Sequence, residues 1–186
     1  MKKDDIRRRI KAHKSLLDEQ EKLDCAERVF NTVKDMAAFI MADKVLLYHS
    51  LPDELSTIKF IEQWHNTKQF FLPRVNGLNL EILPYDRSRL HLGAFQIEEP
   101  DGDDTVDISD IDLVIVPAVA FDRKGNRVGR GKGYYDRLLS SCRAITIGVG
   151  YDFQLVDEID AEPHDVAVDF VVTDHHGIIR GRIRKA

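Results

Sequence analysis

The chain has 186 residues, 43% of them apolar, with 27 Lys and Arg against 32 Asp and Glu and a formal net charge of −5. That length suits a single core, and the acidic balance argues against a protein whose whole surface grips a polyanion such as nucleic acid. Cys25 and Cys142 are far apart and form no CxxC, and no run of about 18 apolar residues or signal-peptide core occurs, so the sequence predicts a cytoplasmic protein without a disulfide framework, a cysteine zinc site or a membrane span.

Residues 1–14 carry seven bases and two acids, including Lys3 and Arg7 at a helical i, i+4 spacing. Neither Pro nor Gly appears before residue 44, and Val29, Val33, Met36, Ala37 and Ile40 recur at helical intervals, which predicts two or three helices with a break near 13–18. The run KVLLY at 44–48 reads as a strand and SLPDE at 50–54 as a turn. Ser56 is the expected cap of a helix reaching about His65, with Ile58, Phe60, Ile61 and Trp64 facing the core. Residues 69–72 and 80–83, each ending at a proline, are further strands. From Glu98 to Asp112 stand eight acids and no base, together with Pro100 and Gly102, a pattern expected of a solvated face or flexible loop.

The clearest buried strand is 112–116, DLVIV, because consecutive branched aliphatics suit a strand covered on both faces. A glycine-rich loop follows, then a helix from Tyr134 to about Cys142 and strands at 144–148, 169–173 and, at the periphery, 177–183. Strands alternating with helices predict an α/β fold: one domain over 1–186, a mainly parallel Rossmann-like sheet flanked by helices, and an N-terminal helical segment. Ligands are expected beyond the carboxyl ends of the strands.

The loop holds the most chemistry. Residues 121–136 read FDRKGNRVGRGKGYYD, with four glycines and five bases between a buried strand and a helix. Glycines at 129, 131 and 133 permit positive backbone dihedrals and close approach of N–H groups to a ligand, and Arg127, Arg130 and Lys132 add charged donors suited to phosphate or carboxylate oxygens. The string is neither a Walker A loop, which needs Ser or Thr where Gly133 stands, nor the GxGxxG dinucleotide fingerprint. On these residues alone an RNA-binding or merely flexible loop is also open. Asp136 and Asp165 are carboxylates of the kind that hold Mg²⁺ beside phosphates.

The whole segment 114–136, VIVPAVAFDRKGNRVGRGKGYYD, resembles the hallmark of the 5-formyltetrahydrofolate cyclo-ligase family, also called 5,10-methenyltetrahydrofolate synthetases. The resemblance continues through KDDIR at 3–7, YHSLPDE at 48–54, LPRV at 72–75, Glu99-Pro100, GYDFQ at 150–154 and His164-Asp165, in the family's order. It implies ATP- and Mg²⁺-dependent conversion of 5-formyltetrahydrofolate to 5,10-methenyltetrahydrofolate with release of ADP and phosphate, through phosphorylation of the formyl oxygen and ring closure by N10. Carried over by motif, Lys3 and Arg7 meet the ATP phosphates, and Arg127, Val128, Gly129, Arg130, Gly131, Lys132, Gly133, Tyr134 and Tyr135 form the nucleotide loop. Arg130 and Lys132 stabilise the transferred charge, Asp136 and Asp165 hold Mg²⁺, and His49, Glu54, Arg130 and Tyr134 line the folate site. Ala118 departs from the family's usual glycine. The resemblance further implies a folate partner, polyglutamylated forms included, and a monomer with neither nucleic-acid nor membrane partners.

Overall fold

The computed structural model describes residues 2–92 and 98–181; Met1, 93–97 and 182–186 lie outside it, so the last two residues of the expected edge strand are not described. The N-terminal segment folds as three helices, α1 (Lys3–Lys14), α2 (Glu19–Lys34) and α3 (Ala37–Met41). The break falls where Asp18 accepts the Glu21 N–H at 2.8 Å and the Glu21 carboxylate accepts the Asp18 N–H at 2.9 Å, a reciprocal cap that starts α2. Then come β1 (Lys44–Leu46), α4 (Ile58–Trp64), β2 (Gln69–Asn76), β3 (Asn79–Pro84), β4 (Leu90–Leu92), β5 (Glu98–Pro100) and β6 (Leu113–Val116). The chain continues with β7 (Ala120–Asp122), β8 (Arg127–Val128), α5 (Tyr134–Ser140), β9 (Ile145–Gly150), β10 (Leu155–Val156), β11 (Phe170–Thr173) and β12 (Gly177–Arg180).

Seven strands make the central sheet in the order β12-β11-β9-β6-β1-β2-β3. The five inner strands are mutually parallel, and β12 and β3 close the two edges antiparallel. Alternation along the strands divides the core. Val45, Leu113, Ile115, Ile147 and Val149 pack towards α2, α3 and α4, whereas Leu46, Val114, Val116 and Val171 pack towards Leu139 of α5. Every residue of β6 is buried, as its run of aliphatics predicts. After β1 the chain builds outward through β2 and β3, then returns to the other side of β1 with β6, β9 and β11. The order therefore reverses between β1 and β6, which opens a crevice at their carboxyl ends.

Four local expectations are corrected. Thr57 rather than Ser56 precedes α4, and its hydroxyl donates to the Tyr48 carbonyl at 2.7 Å, tying the turn after β1 to the helix start. The glycine-rich stretch begins as a hairpin, β7–β8, whose turn is organised by the fully buried Asp122: its carboxylate accepts the N–H groups of Lys124, Asn126 and Ile159. That hairpin and β10 form a small second sheet, on which α1 lays Ile6 and Ile10 against Ala120, Val128, Val156 and Ile159. The acidic segment is ordered rather than loose in its described part: β4 pairs with β5, Val106 bridges to Ile82, and Glu99 is buried while most of its neighbours stay exposed. Helix α5 stops at Ser140, two residues before the expected end.

Candidate active site

Directly beyond the ends of β1 and β6 lies a cavity of about 930 Å³, lined on one side by Tyr48 and His49 and on the other by Pro117, Ala118 and Val119. Three chain segments complete it: the first helix, the glycine-basic loop, and residues 160–165. Packing of Ile6 and Ile10 on the small sheet holds α1 so that Lys3, Arg7 and Lys14 turn to the cavity. Arg7 Nε donates to the Gly129 carbonyl at 2.9 Å, which joins the helix to the loop.

Within the loop Gly131 and Gly133 adopt φ of 101° and 69°, left-handed values that a side chain rarely tolerates, whereas Gly129 needs no positive φ. Gly133 is also the residue from which α5 starts. Arg127 is almost completely enclosed; its Nη2 donates to Asp136 Oδ1 at 2.6 Å, its guanidinium lies 6.0 Å from the Tyr135 ring centroid, and its buried Nε has no protein acceptor among the described residues. Burial pulls this guanidinium below its usual pKa, against the opposing charge of Asp136. Arg130 reaches the opposite wall, donating through Nη2 to Asp53 at 2.8 and 3.0 Å and to Glu54 at 3.3 Å. Lys132 is exposed and makes no ion pair among the described residues.

The two expected metal carboxylates sit in different company. Asp165 accepts from Lys3 Nζ at 2.7 Å and from the Glu162 N–H at 2.8 Å. Burial would raise its pKa, but these contacts outweigh it and hold the carboxyl below its ordinary value. With Glu162 and His164 it offers three ligand atoms within 4.8 Å of one another. Asp136 is outside that trio: both its hydrogen bonds, from Arg127 and from the Val166 N–H at 3.1 Å, fall on Oδ1, and Oδ2 takes none among the described residues. Since Val166 follows Asp165, the two carboxylates nevertheless border the same wall.

On the other side, Glu54 Oε2 accepts the Leu51 N–H at 3.0 Å, which fixes the turn after β1. His49 Nε2 lies 3.3 Å from Glu98, and burial lowers its pKa despite that carboxylate, so its imidazole is neutral at pH 7. Tyr134 is held by Arg137, whose guanidinium is 5.5 Å from the ring centroid. Burial, aided by Glu54, pushes the Tyr135 phenol far above its usual range and keeps it protonated.

All the site residues read from the sequence line or border this one cavity. Four more were missed. Lys14, seven residues beyond Arg7 and so on the same helix face, reaches 3.7 Å from Asp53; the 3, 7, 14 spacing was the available signal. Asp53 itself, and Glu162 and His164 beside Asp165, stood next to motif residues and looked like ordinary surface acids and a surface histidine.

The model of the 5-formyltetrahydrofolate cyclo-ligase family matches residues 1–174. A 5-formyltetrahydrofolate cyclo-ligase of Escherichia coli (strain K12) is 31% identical over 174 residues, which cover 88% of this chain and 96% of the relative. One from Mus musculus is 29% identical over 146 residues, covering 69% and 72% respectively. The solved structure of Aquifex aeolicus 5,10-methenyltetrahydrofolate synthetase matches with a TM-score of 0.89 at 32% identity, over 100% of this chain and 96% of that one.

Proposed function

The chain belongs to the 5-formyltetrahydrofolate cyclo-ligase family, and from that premise we propose how its cavity performs the family's reaction, the ATP-dependent conversion of 5-formyltetrahydrofolate to 5,10-methenyltetrahydrofolate. The protein is a ligase of folate one-carbon metabolism. The observation that carries the assignment of its parts is convergence. Cations from α1 and from the glycine-basic loop line the same cavity as His49, Glu54 and Tyr134, so a polyphosphate and a folate can meet there.

An amide-like formyl oxygen leaves poorly as hydroxide and readily as phosphate. The chemistry therefore needs the formyl oxygen aligned with the γ-phosphorus of ATP and the developing charge stabilised. Lys3 and Arg7 on one jaw and the loop from Arg127 to Tyr135 on the other bind the phosphates. Before ATP arrives, the Lys3, Arg127 and Arg130 charges are offset by Glu162 and Asp165, by Asp136, and by Asp53 and Glu54. Arg130 spans the boundary between the two halves of the cavity, so it can trade its carboxylates for the transferred phosphoryl oxygens, and Lys132, unpaired among the described residues, adds a second mobile cation. Glu54 and neutral His49 orient the pterin by hydrogen bonds, and Tyr134 lies against it. Attack of the formyl oxygen releases ADP; attack of N10 then closes the ring, and phosphate departs.

The oxygen donors of Asp165, Glu162 and Asp136 fit Mg²⁺, which is commonly held by one or two carboxylates with phosphate oxygens completing its shell. When bound there it would screen the phosphate charge. The reading includes polyglutamylated substrate and a monomer acting in the cytoplasm. The test is to mix purified protein with 5-formyltetrahydrofolate, Mg²⁺ and ATP and follow absorbance of the methenyl product. Product that needs both ATP and Mg²⁺ supports the reading; ATP binding without product points to a different acceptor in the folate half.

A further inference from the structure

Away from the cavity, the turn between β11 and β12 meets the segment that follows β9. Here Nδ1 of His175 lies 2.9 Å from Asp152 Oδ2 and 2.8 Å from Asp174 Oδ2. One ring nitrogen carries at most one proton, so one N–H cannot satisfy two carboxylate oxygens that converge on it. The Asp174 side chain is only 5% exposed, and its nearest full charge of opposite sign, Arg28 Nη2, is 3.5 Å away. The remaining oxygens are already taken. Asp174 Oδ1 accepts the Asp152 N–H at 2.8 Å, and Asp152 Oδ1 accepts the His175 N–H at 3.1 Å and faces His176 Nδ1 at 3.0 Å. The Cys25 thiol donates to Asp174 Oδ2 at 3.3 Å. The carboxylates are thus braced from behind while their Oδ2 atoms point at one shared nitrogen.

We propose that Asp152, Asp174 and His175 form a binding site for a divalent transition-metal ion of the zinc type, separate from the active site. The three offer ligand atoms within 4.8 Å of one another, and none of them lines the active-site cavity. One imidazole nitrogen and two carboxylate oxygens suit a borderline ion better than Mg²⁺, and water can complete the shell. A dication replaces the single proton on which both carboxylates converge, and each carboxylate keeps an outer hydrogen bond of the sort that orients metal ligands. The His175 ring is two-thirds exposed, so it can swing aside to admit the ion. The ion would clamp the β11–β12 turn to residue 152, next to Tyr151, whose hydroxyl donates to the Glu54 carbonyl at 3.4 Å.

The experiment uses tag-free full-length protein and Co²⁺ as a spectroscopic stand-in, with Zn²⁺ in competition. The expected result is one equivalent of Co²⁺ giving a visible ligand-field band that Zn²⁺ displaces and a large excess of Mg²⁺ does not. At free metal 100 times Kd the melting temperature should rise by about 5 °C or more. The band should persist in His164→Ala, which disarms the trio beside the active site, and vanish in His175→Ala and Asp152→Asn. His175→Ala removes an exposed side chain, so its circular dichroism should match the wild type even if Asp152→Asn misfolds. Absence of a band in the wild type, its survival in His175→Ala, or its loss in His164→Ala alone would overturn the proposal and leave the cluster as a hydrogen-bonded histidine between two acids.

Discussion

Replacing Arg130 by alanine separates a catalytic role from a structural one. In the folded protein the side chain is half exposed, and so is its main partner Asp53, which it meets at 2.8 Å. Ion pairs in such exposure contribute about 0.2–1 kcal/mol after screening. For a chain of 186 residues that is a fall in melting temperature of no more than about 4 °C. In the transition state the same guanidinium faces charge gathering on the transferred phosphoryl group inside a closed cavity, where loss of one donor costs about 2.7–4 kcal/mol, or 10²- to 10³-fold in kcat. Arg130→Ala also leaves Asp53 and Glu54 facing the nucleotide uncompensated, so the KM for ATP rises as well. The assay is the methenyl absorbance at saturating folate, with ATP varied, beside a thermal melt. Arg130→Lys, which keeps the charge and loses the fork, should fall between the two. A kcat within threefold of wild type in Arg130→Ala, or a melting temperature lowered by more than 10 °C, would refute the division of roles. The pH dependence gives an independent check. Burial would raise the Asp53 pKa from its ordinary 3.8, but Arg130 and Lys14 outweigh it and lower it. Stability from that pair is present above pH 3.8 and lost as pH falls through the depressed value, so the gap between wild type and variant should close in acid.

Other outcomes follow from the same geometry. Lys3→Met removes a cation held at 2.6 and 2.7 Å by Glu162 and Asp165; if it contacts phosphate, the KM for ATP should increase at least tenfold, since a hydrogen bond to a charged group is worth about 1.5–3 kcal/mol. An unchanged KM removes Lys3 from the nucleotide site. Arg127→Met strands Asp136 without its buried partner, a loss of about 3–5 kcal/mol that a denaturant titration would register, and a loss below 1 kcal/mol would contradict the pairing. Lys14 is mostly buried, and its pKa is lowered from 10.5 chiefly by that burial. Its charge therefore opposes folding at neutral pH and ceases to do so as pH climbs through the lowered value towards 10.5, so Lys14→Met should melt higher than wild type at pH 7, by a margin that shrinks in base. Gly148→Ala would place Cβ 2.3 Å from Cε1 of the fully buried Phe121, an overpacking cost of about 1–3 kcal/mol, measurable by denaturant titration and relieved in part by Phe121→Leu in the same chain.

Much of this was legible from local pattern. The four aliphatics of β6, the helical spacing in α2, and Gly131 and Gly133 ahead of α5 each state their own conformation, because strand, helix and turn preferences act over a few residues. The glycine-basic loop announced an anion site for the same reason, since its donors and its flexibility lie in one stretch. Local pattern misled where two equivalent residues stood side by side. Ser56 and Thr57 are both plausible caps, and only the buried bond from Thr57 to Tyr48 selects the second. The acidic segment looked unstructured because its partners, Ile82 and β4, are distant from it in pattern though near in space.

What the sequence by itself determined, then, is the set of strands and helices and the chemistry of the basic loop. What only the tertiary structure decided is who faces whom. Arg130 meets Asp53 across 77 residues and Lys3 meets Asp165 across 162, because the sheet reverses its order between β1 and β6 and α1 docks on the small sheet beside that crevice. Periodicity specifies which face of an element is apolar but carries no distance between elements. The pairing of charges around the cavity is therefore settled by how the buried faces pack, and the polar residues are brought together as a consequence.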